Sequence, residues 1–217
     1  YMFPFPFSFI SGAAPDVPVE RIANAEAMSF NGVDAYINVG TMPALPADFT
    51  WSAWINPKRI NDTYEMIYTQ GTAITGGASS TPYLAIKDTR LHLFITGVYE
   101  TGLNFITADE WQHVVATRTN GVLNLYRNGV EYNGARPTQS GTINTNNPGV
   151  IGKWYNSSHY FKGSIDEVAI FNTALSPEKI TQIYDATAVV GGVPQTANLF
   201  TGGLSSSLVY WNRMGDS

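Results

Sequence analysis

The chain has 217 residues, of which 13% are charged, with a formal net charge of −5 and no cysteine. The acidic balance disfavours nucleic acid and anionic membranes as partners, because both attract basic surfaces. The absence of cysteine excludes disulfides, a thiol nucleophile and a cysteine-ligated metal. The length suits a single sizeable core, and many glycine, asparagine, serine and threonine residues are typical of short strands joined by polar turns.

Residues 1–24 are predicted to form an extended arm that alternates phenylalanine with proline. Pro4 and Pro6 favour an extended backbone, in which alternate side chains fall on one side. Three outcomes remain open for the arm: packing on its own domain, docking on another subunit, or disorder. Because so much apolar surface is seldom left in water, we predict a partner-docking role. The candidate docking residues are Phe3, Phe5, Phe7 and Phe9.

Residues 25–188 predict a succession of antiparallel strands and one helix. The clearest turn is Asn128-Gly129, since both residues accept the positive φ of a type I′ hairpin turn. Ser176 as N-cap and Pro177 at the first helical position predict a short helix over residues 177–185. The predicted strands lie at residues 35–39, 49–57, 66–69, 83–87, 90–96, 98–103, 114–119, 122–132, 149–153 and 164–171.

Residues 189–217 are predicted to be a linker followed by a C-terminal strand or arm. The linker composition is seen in the sequence VVGGVPQTANLFTGG, and alternation over residues 208–213 favours the strand. Earlier in the chain, flanking apolar positions predict that Trp54 and Trp111 are core or near-core residues.

Several segments resemble the laminin-G-like, concanavalin A-like jelly rolls that are related to pentraxins. They occur in the family's order at residues 29–40 (SFNGVDAYINVG), 49–57 (FTWSAWINP), 110–134, 151–154 (IGKW) and 163–186 (GSIDEVAIFNTALSPEKITQIYDA). The resemblance implies an all-β, two-sheet antiparallel jelly-roll sandwich with one short C-terminal helix and extended terminal arms. The final residues, WNRMGDS, resemble a stretch that follows such domains in phage structural proteins.

The catalytic patterns of hydrolases are absent from the sequence. Glycoside hydrolases of this fold carry Glu-x-Asp-x-x-Glu along one strand face, and that spacing does not occur. Asp166 and Glu167 are adjacent in a predicted strand, so alternation is expected to place them on opposite faces and to prevent them from acting as a pair. No nucleophile elbow or phosphate loop occurs either. We therefore predict a non-enzymatic protein.

The resemblance also bears on calcium, which pentraxins bind through acidic residues after the strand matching residues 150–152. Here the matching positions are Lys153, Trp154 and Tyr155, and calcium prefers hard oxygen ligands. The calcium site is therefore not carried over, and no cofactor or metal is predicted. A different calcium site remains an open alternative, and its candidate ligands are Asp34, Asp48, Asp62 and Asp88.

The loop at residues 154–161, WYNSSHYF, combines aromatic and polar side chains. Such a mixture suits sugars, because rings stack on C–H faces while amides and hydroxyls bind the sugar hydroxyls. The alternative is that these rings only anchor the loop to the core. The candidate ligand-binding residues are Trp154, Tyr155, Asn156, His159 and Tyr160.

The preferred functional hypothesis is a structural or adhesion module of a virion surface, such as a capsid decoration or fibre protein, with glycan binding as an added role. Its partners would be other virion or surface subunits, and the protein is predicted to be an oligomer. The alternative is a secreted or cell-surface bacterial lectin-like protein, which would be extracellular. A glycosidase with an unrecognised site is a third, weaker hypothesis.

Overall fold

The computed structural model describes residues 17–71, 73–74, 81–140, 142–143, 148–155, 159–190 and 193–216. The four phenylalanines of the predicted arm and Asn156 lie outside these residues. The elements are β1 (Arg21–Ala23), β2 (Met28–Asn31), β3 (Ile37–Gly40), β4 (Phe49–Pro57), β5 (Glu65–Thr69), β6 (Ala73–Ile74), β7 (Tyr83–Lys87), β8 (Arg90–Phe94), β9 (Val98–Glu100), β10 (Gln112–Thr119), β11 (Val122–Arg127), β12 (Val130–Glu131), β13 (Thr142–Ile143), β14 (Gly149–Ile151), β15 (Lys162–Phe171), α1 (Pro177–Asp185), β16 (Ala188–Val190), β17 (Val193–Ala197) and β18 (Leu208–Asn212).

Two antiparallel sheets form the sandwich. The larger has the order β12-β11-β10-β4-β15-β18, with β2 also paired to β15, and the smaller has the order β3-β14-β5-β7-β8-β9. Two shorter sheets, β1-β17-β16 and β13-β6, lie outside this pair. The all-β, two-sheet prediction is confirmed, as is the single short helix at α1.

The main core lies between the two sheets and follows the predicted alternation. In β4, Trp51, Ala53 and Ile55 point into it and are fully buried. The Trp51 ring meets the Tyr68 ring from the opposite sheet edge-on, with ring centres 5.1 Å apart. Burying a large apolar side chain contributes roughly 1.5–3 kcal/mol, so this interior provides the main stabilisation of the sandwich.

A third layer covers the outer face of the seven-stranded sheet. The helix α1 begins where Ser176 Oγ accepts a hydrogen bond from the Lys179 amide, and it packs Ile180 and Ile183 against Phe171 of β15. The sheet β1-β17-β16 extends this cover, and the alternating C-terminal segment adds β18 to the edge of β15. The described residues contain no helix that is long and apolar enough to cross a membrane.

A β-bulge in β15 corrects the prediction for Asp166 and Glu167. Asp166 pairs with Trp54 and Ala169 pairs with Ser52, so β15 has one extra residue between these pairs. Glu167 is the extra residue of the bulge, and its φ of 51° is a left-handed conformation. Both carboxylates consequently face the third layer, where Asp166 lies beside Trp54 and Glu167 accepts a hydrogen bond from Trp211 Nε1. They do not point to opposite faces.

The prediction for Trp111 is also wrong, because its side chain is 43% exposed. Trp111 immediately precedes β10, so the inward and outward alternation of that strand does not reach it. Trp54 is half-buried, with its ring 5.3 Å from His113 and 5.8 Å from Tyr184 of α1. Both indoles line one cleft beside the third layer.

Candidate functional site

The outer face of the six-stranded sheet carries a cluster of six rings, which we call the aromatic face. The strand pleat places three of them there, since Leu84, Leu91 and Leu93 of β7 and β8 point into the core and their neighbours point outward. The remaining rings come from the residue before β5 and from the loop after β14. The aromatic face consists of Tyr64, Tyr83, His92, Phe94, Trp154 and His159.

Tyr64 stands at the centre of the aromatic face and meets its neighbours edge-on. Its ring centre lies 5.6 Å from Tyr83, 5.5 Å from His92, 6.3 Å from Trp154 and 6.0 Å from His159. These are favourable distances for edge-to-face ring pairs. Tyr64 therefore joins the sheet to the loop after β14.

Tyr83 links the two halves of the cluster along the sheet. Its ring stacks on Phe94 at 5.3 Å with an interplanar angle of 11°, and it lies 5.2 Å from Trp154. Tyr83 is only 4% exposed and forms the floor, whereas Phe94 and Trp154 are half-buried and reach the surface. The result is a continuous aromatic platform whose outer rings are partly exposed.

The loop after β14 divides the predicted ligand-binding residues between two sides. The Trp154 amide donates to the His159 carbonyl at 3.0 Å, and their side chains share the side of the aromatic face, with ring centres 5.4 Å apart. Lys153 pairs with Tyr160 by a β-bridge, so these two side chains take the other side. Tyr155 is 38% exposed and lies at the loop tip.

The second side of the loop forms a separate cation–aromatic group. Lys153 Nζ lies 4.6 Å from the ring centre of Tyr36 and 5.4 Å from that of Tyr160. The structure thus brings Trp154 and His159 to the aromatic face and Tyr160 to a different surface.

A buried carboxylate fixes the base of this loop. Glu65 is fully buried and accepts hydrogen bonds from the Lys162 amide at 2.7 Å and from Arg59 Nε. Arg59 Nη2 also donates to the Tyr160 carbonyl at 2.8 Å. Burial raises the pKa of Glu65, while Arg59 and the Lys162 amide act in the opposite direction. This network positions the loop before any ligand arrives.

Polar groups border the aromatic face along β7, β8 and β9. Lys87 Nζ lies 5.0 Å from the Tyr64 ring centre, and Glu100 pairs with Arg90. His92 Nδ1 lies 3.4 Å from a Glu100 carboxylate oxygen. Burial lowers the pKa of His92, and the Glu100 charge partly offsets this effect. Rings with charged donors and acceptors at the border can hold a ligand that is apolar on one face and polar at its rim.

Sequence reasoning missed four members of the aromatic face: Tyr64, Tyr83, His92 and Phe94. Alternation is the signal that could have found Tyr83, His92 and Phe94, because it puts them on the side of β7 and β8 away from the core leucines. Tyr64 gave no periodic signal, because it precedes β5 and lies outside the regular pleat. That the loop folds back over these strands could not be read from spacing.

The pentraxin-like calcium site does not fit these residues. Lys153 places an ammonium group between two aromatic rings at the position where acidic ligands would be needed. Within the described ranges, no three His, Asp or Glu side chains lie close enough together to hold a metal ion. The four aspartates considered as alternative ligands therefore form no such group.

The Asp166–Glu167 pair is placed for a structural role. Both carboxylates are buried beneath the third layer, Asp166 accepts from Asn24 Nδ2 at 2.8 Å, and Arg213 Nε lies 3.5 Å from Glu167 Oε1. Burial raises the pKa of Asp166 to about 6, and burial together with the Asp166 charge raises the pKa of Glu167 to about 8. Raised values can mark catalytic acids, but Glu167 is closed off from substrate by α1 and β17.

Comparison with known proteins identifies the relatives of this chain. The profile of the concanavalin A-like lectin/glucanases superfamily (Laminin_G_3) matches residues 31–181. The zebrafish (Danio rerio) adhesion G-protein coupled receptor V1 is 22% identical in an alignment 189 residues long, which covers 77% of this chain and 3% of the receptor.

Solved structures extend the comparison. A Bacteroides ovatus protein proposed to bind carbohydrate matches with a TM-score of 0.63 and 17% identity, covering 92% of this chain and 53% of that one. The CBM40 domain of a Ruminococcus gnavus sialidase, bound to sialyllactose, matches with a TM-score of 0.56 and 12% identity over 77% of this chain and 99% of that one. A heptameric pentraxin from Limulus polyphemus matches with a TM-score of 0.54 and 17% identity, over 79% and 84% of the respective chains. At these identities the likeness concerns the fold.

Proposed function

Because the chain belongs to the concanavalin A-like lectin/glucanases superfamily, we propose that it is a non-enzymatic carbohydrate-binding module whose glycan site is the aromatic face. The observation that carries the proposal is the meeting of Trp154 and His159 with Tyr64 and Tyr83 on one partly exposed surface. This surface includes two residues that the sequence had already singled out for glycan binding.

The chemistry of the aromatic face suits a sugar ring. Desolvation of the C–H faces of a pyranose costs little free energy, and these faces stack on aromatic rings. The hydroxyls of the sugar need polar partners at the rim. Trp154 and Phe94 offer ring surface, and Lys87 and Glu100 offer a donor and an acceptor beside it. A platform held by the buried Glu65 network would lose little entropy on binding.

A binding module is favoured over a hydrolase by the surroundings of the carboxylates. Most glycoside hydrolases use two carboxyl groups that flank the scissile bond. Among the described residues, the carboxylate placed at the border of the aromatic face is Glu100, which is paired with Arg90, and the buried Asp166–Glu167 pair lies beyond the opposite sheet. We propose an extracellular or surface location for the module, in line with adhesion. The virion surface stays a prediction, which detection of the protein in purified virions would test.

The proposal is tested by glycan-array screening of the wild-type protein, followed by calorimetric titration of the best glycan. Trp154→Ala and Tyr64→Ala should each weaken binding by about 1 kcal/mol, roughly fivefold, through loss of stacking area. Tyr160→Ala is the matched control, since it changes the same loop on its other side. Absence of any array signal, or loss of affinity in Tyr160→Ala alone, would reject the assignment.

A further inference from the structure

A second, separate cleft lies beside the third layer, on the opposite side of the sandwich from the aromatic face. It has a volume of about 460 Å³, within the range of small-molecule sites. Residues 24–27, which follow β1, form one wall, and β16 and β17 contribute a second. Trp54 of β4 and Trp111 before β10 supply the aromatic surface.

The two indoles differ in their exposure and in their contacts with other rings of the protein. Trp54 is held in place by His113 and Tyr184, with ring centres 5.3 and 5.8 Å away. Trp111 is 43% exposed and makes no ring pair with another aromatic side chain in the described part of the chain. An exposed indole at the mouth of a cleft is available to stack on a ligand, and tryptophan is the best aromatic partner for a cation.

The polar lining of the cleft is rich in acceptors. Asn24 Nδ2 donates to Asp166 Oδ2 at 2.8 Å, which orients the amide and leaves Asn24 Oδ1 buried without a hydrogen-bond partner among the described residues. Glu26 lines the same wall, and no lysine or arginine of the described residues lines the cleft. A buried acceptor without a donor is unfavourable, so an ammonium ligand that carries N–H groups would relieve it, whereas a quaternary ammonium would be held by charge and by the indole surface alone.

Arg213 is not among the residues that line the cleft. Its guanidinium lies 3.5 Å from Glu167 and 4.0 Å from Asp216 and donates to the Ala23 carbonyl. Asp216 in turn accepts from the amides of Ala25 and Glu26 at 2.9 and 3.1 Å. The cleft side of the wall therefore presents carboxylate and amide oxygens together with two indoles.

We propose that this cleft binds a small organic cation, with its ammonium group set between the indole surface of Trp54 and Trp111 and the oxygens of Asn24, Asp166 and Glu26. Primary and quaternary ammonium groups share the charge that the site recognises. This site is independent of the glycan site, because the two lie on the outer sides of opposite sheets.

The test is a titration of the full chain with three probes, followed by ¹H–¹⁵N NMR of the tryptophan indole groups. The probes are choline, n-butylammonium and 3,3-dimethylbutan-1-ol, which is the neutral isostere of choline. The two cations should shift the Trp111 indole resonance and bind at least about tenfold more tightly than the alcohol. The Trp111 resonance is assigned by its loss in Trp111→Ala.

Two variants complete the test. Trp111→Ala and the exposed Glu26→Gln should each weaken choline binding by about threefold or more, with Leu103→Ala as an exposed apolar control that leaves it unchanged. Equal binding of alcohol and choline, no binding of either cation, or no effect of both variants would overturn the proposal. Tighter binding of maltose than of choline in the cleft would also overturn it, in favour of a second sugar site.

Discussion

The outer faces of the two sheets differ in how far the rest of the chain covers them. The seven-stranded sheet presents Val115, Ala169 and Phe171, and these are sealed by α1 and the C-terminal strands. The six-stranded sheet presents Tyr83 and Phe94, which join Tyr64 and Trp154 and which no further layer of described residues covers. Apolar side chains on the first face serve packing within the chain, whereas the second face keeps half-buried rings beside charged neighbours.

This difference teaches where ligand recognition can occur in such a fold. The part of a face that is covered by the chain's own helix contributes mainly stability. A face that keeps half-buried rings gives up part of that stability and gains a surface for binding. The following predictions test whether the two faces differ in this way.

The largest expected effect is the difference in stability lost when a phenylalanine is removed from each of the two faces. Phe171→Ala should lower the free energy of unfolding by about 3–5 kcal/mol, because it opens a cavity beneath α1. Phe94→Ala removes the same ring from the open face and should cost only about 1 kcal/mol. Urea denaturation followed by circular dichroism measures both, and equal losses would show that the two faces are packed alike.

The next effect concerns the acid pair beneath the third layer. The pKa of Glu167, raised to about 8, means that the folded protein holds a proton that the unfolded chain releases above about pH 4.5. Stability from this group is therefore lost as pH rises towards and through 8. The slope can reach at most about 1.4 kcal/mol per pH unit.

The measurement should be made between pH 6.5 and 9. Burial lowers the pKa of His113 to about 3, so below pH 6.5 this residue makes the stability rise with pH and would mask the effect of Glu167. Thermal unfolding of Glu167→Gln should show a flatter dependence on pH than the wild type. Glu100→Gln, on the open face, is the control and should keep the wild-type slope. A wild-type stability that rises over this range would contradict the assignment.

The smallest effect concerns the start of the helix that closes the seven-stranded sheet. Ser176→Ala removes the side-chain acceptor for the Lys179 amide and should lower the free energy of unfolding by about 0.5–1 kcal/mol. Ser176→Asp keeps an acceptor and should retain the stability. If Ser176→Ala lowered the free energy of unfolding as much as Phe171→Ala, the attachment of α1 to the seven-stranded sheet would depend as much on the N-cap of the helix as on its packing.

Much of the fold could be predicted from regular periodicity in the sequence. The alternation of Trp51 and Ile55, the Asn128-Gly129 turn and the capped helix α1 all lie where the pattern predicted them, with φ of 51° and 77° at the turn. These features depend on local backbone preferences and on a side-chain period of two or 3.6, both of which one sequence displays.

The failures have local physical causes. The bulge at Glu167 uses a left-handed conformation in a residue other than glycine, so no sequence signal marked it and the faces of Asp166 and Glu167 were misassigned. Trp111 lies just before a strand, where the pleat does not fix its direction. For the aromatic face, the sequence singled out Trp154 and His159 but not Tyr64, since their meeting depends on how the loop folds over the sheet.

The most direct test of the account is a crystal structure of the protein with the glycan that ranks highest on the array. The account predicts a sugar ring on the aromatic face, with its carbon atoms within about 4 Å of Trp154 and Tyr64. A sugar found beside Lys153 and Tyr160, or in the cleft lined by Trp54 and Trp111, would contradict it.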